Sequence, residues 1–422
     1  MLHRQTISEK ILSARSGRDA SAGDIVICRV DHVIGTDAST PMAIDYFERM
    51  GGTRLFNPER VTFAFDHYAP PSPSGEAFHA RVRAFVRKYG GTLLEVGEGI
   101  SFQRAVESGK LLSGDLVVGA DSHTVTCGAL NVFAIGVGSS DLAVAMMTGE
   151  IWLKVPATIH ITLAGNRAEG AGAKDVALAL VKELGSTGAS YRAIEFFDPL
   201  DQFAVDDRMV LCNLAVEMDA KAAIFPTDAA TRRYLAVRAN QYREACNADP
   251  GARYQREIVF DVSAVTPQIA LPHAPDHVVP IAQAIGTPVQ MVFIGTCTGG
   301  RVRDFREALE VLVRAGERIA PGVTVVLTPA SREVEAILTR DGTLARFAAM
   351  GAVVTTPGCG ACCGTGGVIP GDGMTVISTA NRNFRGRMGN PNASIHLASP
   401  AACAAAAATG VIIDPTLLPA AY

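Results

Sequence analysis

Short apolar runs alternate with helix-like segments along most of the chain. The segments DIVICRVDHVIG (24–35), VTFAFDHYAPPSP (61–73) and GDLVVGADSHTVT (114–126) each read as an apolar strand followed by polar residues. From about residue 286 the order strand, helix, strand, helix repeats in VQMVFIG, RDFREALEVLVRAG, VTVVLTP and REVEAILTRDG. Such alternation is typical of βαβ units, so the pattern predicts an α/β fold.

Two changes of character divide this pattern into three α/β units. After Pro156 come the alternating strand ATIHITLAG and the helix KDVALALVKELG, and a polar connection follows at 241–257. We expect subdomains at residues 1–156, 157–265 and 266–422, because 422 residues exceed what one hydrophobic core usually holds. Two further segments read as helices: the N-terminal 17 residues, with a Thr6–Glu9 capping box, and the alanine-rich run at 401–410.

An aspartate and a histidine follow the apolar run in each of the three early strand segments. The pairs are Asp31–His32, Asp66–His67 and Asp121–Ser122–His123. Because sites in α/β folds collect beyond the carboxyl ends of strands, we expect such pairs at a site. A carboxylate can fix the tautomer of a neighbouring imidazole and raise its pKa, which suits a proton donor. The proline-rich loop that follows His67 directly weighs against that pair.

Three of the nine cysteines lie in the glycine-rich stretch TTPGCGACCGTGG (355–367). Cys359 and Cys362 form a C-x-x-C pair, and Cys297 lies in IGTCTGGR, another predicted turn after a strand of the same unit. Spacing alone leaves three interpretations open: an iron–sulfur cluster on three thiolates, a redox dithiol, and inert thiols. Structural zinc would need a fourth ligand, and no second C-x-x-C supplies one. Cys363 has no assigned role.

Composition and charge narrow the class of protein. Hydrophobic residues make up 48% of the chain and charged residues 19%, and the formal net charge is −4. This balance excludes the basic footprint of a nucleic-acid or anionic-membrane binder. No secretory segment and no membrane span is evident, so we expect a cytoplasmic protein. In a reducing compartment, clustered cysteines indicate metal binding or catalysis more than disulfides.

A basic loop near the C-terminus offers a further candidate contact. In NRNFRGRMGN (381–390), the guanidinium groups of Arg382 and Arg387 are suited to holding a carboxylate in a bidentate fork. Taken alone, the loop reads better as a solvated surface segment than as a binding site.

Taken together, several segments resemble the aconitase family, and most closely its 3-isopropylmalate dehydratase and homoaconitase large subunits. The resemblance covers nearly the whole chain, in the family's order, and rests on VDHVIGTD, GADSHTVTCGALNVFAIGVGSSDLA, DRMVLCNLAVEMDAKAAIFPTD, IGTCTGGR, PGCGACCG and NRNFRGRMGNPNASIHLASPA. It implies three α/β/α subdomains around a central cleft. It also implies a hydro-lyase of leucine biosynthesis that acts on a 2-hydroxy-dicarboxylate of the 3-isopropylmalate type.

The resemblance implies a four-iron four-sulfur (4Fe-4S) cluster held by Cys297, Cys359 and Cys362. The fourth iron would bind the hydroxyl and a carboxylate of the substrate. Asn381 and Asn383 would flank the cluster loop.

Acid–base and substrate-binding roles are implied as well. Asp31–His32 would match the pair that protonates the leaving hydroxyl, and Asp121 and His123 would match a second acid and histidine near the substrate. Glu195 would pair with His123. The substrate-binding residues would be Arg382, Arg387 and Gln103.

The family's catalytic base is a serine of a mobile swivel domain. This chain ends at Tyr422, shortly after the third α/β unit, without room for that domain. The resemblance therefore implies a separate small subunit that supplies the serine, with the active site at the interface between the two chains.

Two departures from the family pattern bear on the substrate. Gly299 stands where the family usually carries Asn, and Phe102 stands where it often carries His before Gln103. Dehydratases of other substituted malates, of the homoaconitate, citramalate or dimethylmalate type, are therefore alternatives. A cluster-free, non-catalytic binding protein is another.

Overall fold

Four β-sheets and the helices that cover them make up the fold of the computed structural model. It describes residues 4–239, 241 and 243–418. The ends of the predicted first and third subdomains, residues 1–3 and 419–422, lie outside that range, as do positions 240 and 242 next to and within the predicted connection.

The α-helices of the described residues are α1 (Ile7–Ser16), α2 (Thr40–Arg49), α3 (Pro73–Tyr89), α4 (Ser101–Glu107), α5 (Ser139–Thr148), α6 (Ala173–Leu184), α7 (Val205–Leu214), α8 (Ala229–Ala236), α9 (Val302–Arg314), α10 (Arg332–Arg340), α11 (Thr343–Ala349) and α12 (Pro400–Thr409). The strands are β1 (Ile25–Arg29), β2 (His32–Thr36), β3 (Val61–Ala64), β4 (Thr92–Leu94), β5 (Leu116–Gly119), β6 (Phe133–Gly136), β7 (Glu150–Lys154), β8 (Ala157–Ala164), β9 (Arg192–Phe197), β10 (Ala222–Ile224), β11 (Arg256–Asp261), β12 (Gln268–Ala270), β13 (Val278–Pro280), β14 (Met291–Gly295), β15 (Thr324–Thr328), β16 (Val353–Val354), β17 (Thr375–Ser378) and β18 (Ser394–Ala398).

Parallel pairing dominates the three larger sheets. The first has the order β4-β3-β2-β5-β6 and is parallel throughout, as is the second, β10-β9-β8-β11. The third, β13-β12-β18-β17-β14-β15-β16, is parallel from β18 to β16. Strands β1 and β7 form a separate antiparallel ribbon. The α/β expectation is confirmed by this alternation of parallel strands with helices.

Several predicted helices form where the sequence places them. Helix α1 begins at the Thr6–Glu9 capping box and ends at Gly17, whose φ of 73° lies in the left-handed region that glycine favours. Helix α12 is alanine-rich and almost entirely buried against α9 and β14. Its small side chains let it lie close to its neighbours. No helix among the described residues is long and apolar enough to cross a membrane.

The prediction of one strand that enters a loop over residues 24–35 is wrong. The chain instead forms two strands, because the backbone leaves the ribbon at Val30, whose N–H bonds to Gly149 O. The next N–H, that of Asp31, bonds to Leu116 O, and the chain then enters the first sheet at His32. Asp31 and His32 therefore stand at the amino end of β2, not at its carboxyl end.

Candidate active site

Three buried or half-buried aspartates stand at the carboxyl ends of three adjacent strands of the first sheet. Asp37 follows β2 directly, and Asp66 and Asp121 come two residues after β3 and β5. Parallel strands bring these ends to one edge of the sheet, which is where α/β folds form their sites. Asp37 accepts hydrogen bonds from the backbone N–H groups of His67 and Tyr68, so it holds the turn that carries His67.

His67 lies between two of these acids. Its Nδ1 is 2.7 Å from Asp66 Oδ1, and its Nε2 is 3.4 Å from Asp121 Oδ2. Burial alone would lower the pKa of His67, but the two carboxylates outweigh it and raise that pKa well above its ordinary value. The histidine that the sequence favoured least is thus the one enclosed by acids at the strand ends.

A second histidine, His123, extends this row of alternating acids and histidines. His123 Nδ1 lies 3.5 Å from Asp121 Oδ1, and its Nε2 is 3.1 Å from Glu217 Oε1. Arg382 Nε donates to the same Glu217 oxygen at 2.8 Å. Although burial opposes it, hydrogen bonds from the two imidazoles hold the pKa of Asp121 well below its usual range. Acids and bases therefore alternate from Asp66 to Arg382.

The three cysteines come from two turns of the third sheet. Cys297 comes two residues after β14. The short 3-10 helix after β16 (Gly360–Cys363) has Cys359 just before it and Cys362 within it. All three thiols are buried, and they lie close enough for the charge of one to act on the pKa of another. The Cys359 N–H donates to Asp66 O at 2.8 Å, which joins the cysteine loop to the acid row.

Amide and guanidinium groups point at the sulfur atoms. Asn213 and Asn381 donate to Cys297 Sγ at 3.2 and 3.3 Å, and Cys362 Sγ lies 3.7 Å from Asn381 Oδ1. Arg387 Nη2 is 3.8 Å from Cys362 Sγ. Donors to sulfur are what an anionic metal–thiolate centre needs around it, so the cradle fits such a centre.

The spacing of the thiols argues against a single metal ion held by the three of them. Thiolates on one zinc ion, each with a Zn–S bond of about 2.3 Å, lie within about 4.6 Å of one another. Among the described residues, the only group whose ligand atoms all lie within 4.8 Å is Asp66, His67 and Cys359. The three cysteines are thus set wider than one ion allows, as a cluster would require.

Burial favours the protonated form of these thiols. Burial raises the pKa of Cys297 to about 11 and that of Cys359 well above its ordinary value. All cysteines of the described chain are free thiols. Metal binding would release their protons, since the thiolate is the ligand form.

The predicted position of Asp31–His32 in this site is wrong. Asp31 accepts from Leu116 N and pairs with Arg15 at 3.0 Å, and His32 Nε2 lies 3.4 Å from Asp115. Both residues stand at the amino ends of the first sheet's strands, at the edge opposite Asp66 and Asp121. Their contacts join helix α1 to this sheet.

The predicted pairing of Glu195 with His123 is wrong as well. Glu195 is buried on β9 and accepts from the Ile7 and Ser8 N–H groups and from Ser8 Oγ, at 2.9–3.1 Å. It thus caps the amino end of helix α1. His123 takes Glu217 instead, because the short helix after α7 carries that carboxylate to the histidine.

Gln103 lies beside the cysteines, with both ends of its amide engaged. Its Nε2 donates to Glu107, and its Oε1 accepts from Arg301 Nε at 3.1 Å. Arg301 in turn donates to the carbonyl oxygen of Cys297 at 2.7 Å. A direct substrate contact from Gln103 therefore stays a prediction. Its neighbour Phe102 is 2% exposed and fills the space next to it.

Asn383 of the basic loop and Cys363 of the cysteine loop each have identified contacts. Asn383 is buried and donates to the carbonyl oxygens of Leu271 and Ile395, so it holds the basic loop rather than the cysteines. Cys363 Sγ lies 2.8 Å from Thr365 Oγ1 and 3.8 Å from His67 O.

Sequence reasoning missed Asp37, Asn213 and Glu217. Asp37 closes VIGTD, and ending β2 there instead of at Asp31 would have found it. Asn213 and Glu217 are four residues apart, a spacing that puts two side chains on one face of a helix. No sequence signal says which buried carboxylate reaches His123, since that depends on how the second and first sheets pack.

Comparison with known proteins agrees with this fold and shows that the chain is an aconitase-like α/β hydro-lyase. The family model described as "Aconitase family (aconitate hydratase)" matches residues 9–288 and 283–410. The chain therefore belongs to the aconitase family.

Individual relatives match the chain over nearly its whole length. The chain is 42% identical to the 3-isopropylmalate dehydratase large subunit 1 of Methanopyrus kandleri, over 97% of this chain and 99% of that one. It is 43% identical to the 3-isopropylmalate dehydratase large subunit 2 of Archaeoglobus fulgidus, again over 97% and 99%. Among solved structures, the holo-form of Thermococcus kodakaraensis aconitase X shares the fold, with a TM-score of 0.51 and 13% identity over 89% of this chain and 88% of that one.

Proposed function

We propose that this chain is the large subunit of a two-chain dehydratase that removes and re-adds water on a 2-hydroxy-dicarboxylate of the 3-isopropylmalate type. One observation carries the proposal. The thiols of Cys297, Cys359 and Cys362 lie against a row of alternating acids and bases that includes His67, Asp121 and His123. A metal–thiolate centre and a proton relay are the two parts that such a reaction needs.

Cys297, Cys359 and Cys362 would hold a 4Fe-4S cluster. When bound, the cluster would supply a Lewis acid at an iron without a protein ligand. The protein's own residues tune that centre. Asn213 and Asn381 donate to Cys297, and the guanidinium group of Arg387 lies over Cys362.

We assign the proton donor to Asp66–His67. Asp66 fixes the orientation of the imidazole through Nδ1, which leaves Nε2 on the side of Asp121. A donor at this place would give its proton to a leaving hydroxyl. Asp121 and His123 would form a second charged pair at the site, and Glu217 would orient His123 through its Nε2.

The substrate carboxylates would meet Arg382 and Arg387. Arg382 is oriented by Glu217, and its side chain keeps 22% of its surface exposed at the site. The Nε of Arg387 is buried without a hydrogen-bond partner in the described chain, so it has donor capacity to spare. Guanidinium groups bind carboxylates through paired N–H groups, which fits a dicarboxylate.

The partner would be a small subunit that supplies a catalytic serine. Relatives along the whole chain are named large subunits, which implies a second chain in those proteins. The described site contributes acids, imidazoles and thiols, and we expect the nucleophilic base to come from the partner. The protein would be cytoplasmic, and it would act in leucine biosynthesis.

A different substituted malate is the second candidate substrate. Phe102 is buried where the family often carries a histidine, so the residue next to Gln103 is apolar rather than titratable. This departure favours a different substituted malate, of the homoaconitate, citramalate or dimethylmalate type.

Anaerobic reconstitution tests the proposal. The chain should take up about one cluster, and Cys297→Ser should abolish uptake, because three thiolates are the minimum set here. The reconstituted chain is then mixed with a 3-isopropylmalate dehydratase small subunit from the same organism and assayed on 3-isopropylmalate and the other substituted malates. An iron content near zero in the unaltered chain would leave only the cluster-free binding protein, and an active pair on citramalate alone would select the second substrate.

A further inference from the structure

Lys174 is a buried cation whose position the catalytic roles above do not explain. Its side chain lies in the first turn of α6 and is 2% exposed. Its Nζ donates to the carbonyl oxygens of Thr379 at 3.1 Å and Ala380 at 2.7 Å. We propose that Lys174 is a positioning residue of the metal site, and that its positive charge balances the negative charge of the loaded cluster.

The place of Lys174 is unfavourable in the absence of a nearby negative charge. Removing an ammonium group from water is strongly unfavourable unless it is paired. The amino end of a helix carries partial positive charge, so a cation in the first turn of α6 is repelled. Within the described residues, no carboxylate makes an ion pair with Lys174, and its neighbour Asp175 accepts from Gly172 N and Gln268 N instead.

The thiols are the negative groups that can offset these costs. Burial lowers the pKa of Lys174 to about 8, and the charges of Cys297, Cys403 and Cys362, followed by that of Asp304, act in the opposite direction. Cys297 and Cys362 belong to the proposed cluster site, and each becomes an anion when it binds metal. The inference rests on the proposed function in this respect.

The hydrogen bonds of Lys174 also hold the loop that touches the thiols. The two carbonyl groups it binds come directly before Asn381, which donates to Cys297 Sγ and accepts from Cys362 Sγ. Arg382 follows and is held by Glu217. The Lys174 amine thus holds the backbone that carries two side chains of the site. These are Asn381, whose amide contacts the sulfur atoms, and Arg382, the proposed substrate-binding arginine.

Three variants separate charge from packing. Lys174→Met keeps the length and removes the charge, and Lys174→Gln removes the charge but keeps an N–H donor. Lys182→Met alters an exposed lysine of the same helix and is the matched control. Each chain is reconstituted anaerobically. The readouts are the midpoint potential of the cluster, the rate of iron loss in air, and the thermal midpoint of the cluster-free chain.

Removing the charge should make the midpoint potential more negative, because a nearby cation favours the reduced, more negative cluster. We expect a shift of at least tenfold in the equilibrium constant, about 59 mV for a one-electron step, in both Lys174 variants. Iron loss should be about tenfold faster, in line with the usual effect of groups around a metal's ligands. Lys182→Met should match the unaltered chain.

Two outcomes would overturn the inference, and a third concerns the function alone. Equal potentials and equal iron loss in the unaltered chain and Lys174→Gln would mean that the charge has no role. A lower thermal midpoint of the cluster-free chain with an unchanged potential would mean that Lys174 only supports packing. If Lys174→Met fails to fold, Lys174→Gln decides the same question. An unaltered chain that takes up no cluster would refute the proposed function, and with it the need for a counter-charge.

Discussion

The carboxylate of Asp121 lies between two imidazoles, with Oδ2 3.4 Å from His67 Nε2 and Oδ1 3.5 Å from His123 Nδ1. One acid therefore serves two histidines from different parts of the chain. This shared contact explains why both rings stand at the same edge of the first sheet as the cysteine loop.

Replacing His67 with Gln should lower kcat roughly 10²–10⁴-fold, since a positioned proton donor contributes about that much. His32→Gln should leave kcat within about twofold, because His32 stands at the other edge of the sheet beside Asp115. Steady-state assays of the reconstituted two-chain enzyme would measure both. Equal losses in the two variants would contradict the assignment.

Glu217→Gln should lower activity about 10–100-fold, because it weakens the partner of both His123 and Arg382. Binding and turnover should both suffer, so KM is expected to rise as kcat falls. Glu195→Gln, at the amino end of α1, should leave both constants close to those of the unaltered enzyme at neutral pH. A kinetic effect of Glu195→Gln as large as that of Glu217→Gln would restore the earlier expectation for Glu195.

Glu195 should instead make stability depend on pH. Burial raises its pKa from 4.5 to about 7, so the folded chain holds this proton more tightly than the unfolded chain does. The contribution is fully present below pH 4.5 and is lost as pH rises through 7, by about 3 kcal/mol in all. Urea unfolding between pH 5 and 8 should show the decline, and Glu195→Gln should flatten it. Glu183→Gln, at an exposed position, should keep it.

Asn213→Ala should leave Cys297 Sγ with one amide donor instead of two. We expect the loaded chain to lose iron about 10–100-fold faster in air, measured by the decay of the cluster's visible absorbance. Asn392→Ala, on an exposed loop, is the control. Unchanged decay in Asn213→Ala would show that this hydrogen bond does not matter to the metal.

Gly299→Asn restores the residue that the family usually carries and should nevertheless destabilise the chain. A Cβ at this position would lie 2.2 Å from Thr379 Cβ, so the neighbouring loop would have to move. Overpacking of this kind costs about 1–3 kcal/mol, and the urea midpoint should fall accordingly. At Gly138 a Cβ would meet its nearest atom at 3.9 Å, so Gly138→Asn should cost little.

Local pattern was enough to predict much of this architecture. Strands β14 and β15 follow from short continuous apolar runs, and helix α9 follows from a period of 3.6 residues and the glycine after it. The place of Asp31 could not be predicted, because only two residues separate β1 from β2 and the change of sheet depends on bonds to distant Gly149 and Leu116. Which of the two buried carboxylates, Glu195 or Glu217, reaches His123 depends on tertiary packing, which a single sequence does not encode locally.

The bond from Cys359 N–H to Asp66 O has a practical consequence, together with the one from Thr365 Oγ1 to His67 O at 2.7 Å. The metal-ligating loop and the turn with the proton donor are cross-braced, so they form a single module although nearly 300 residues separate them. Transplanting the glycine-rich loop into another scaffold would carry the thiols but not the brace. A working graft would have to include the strand end at 64–68 as well.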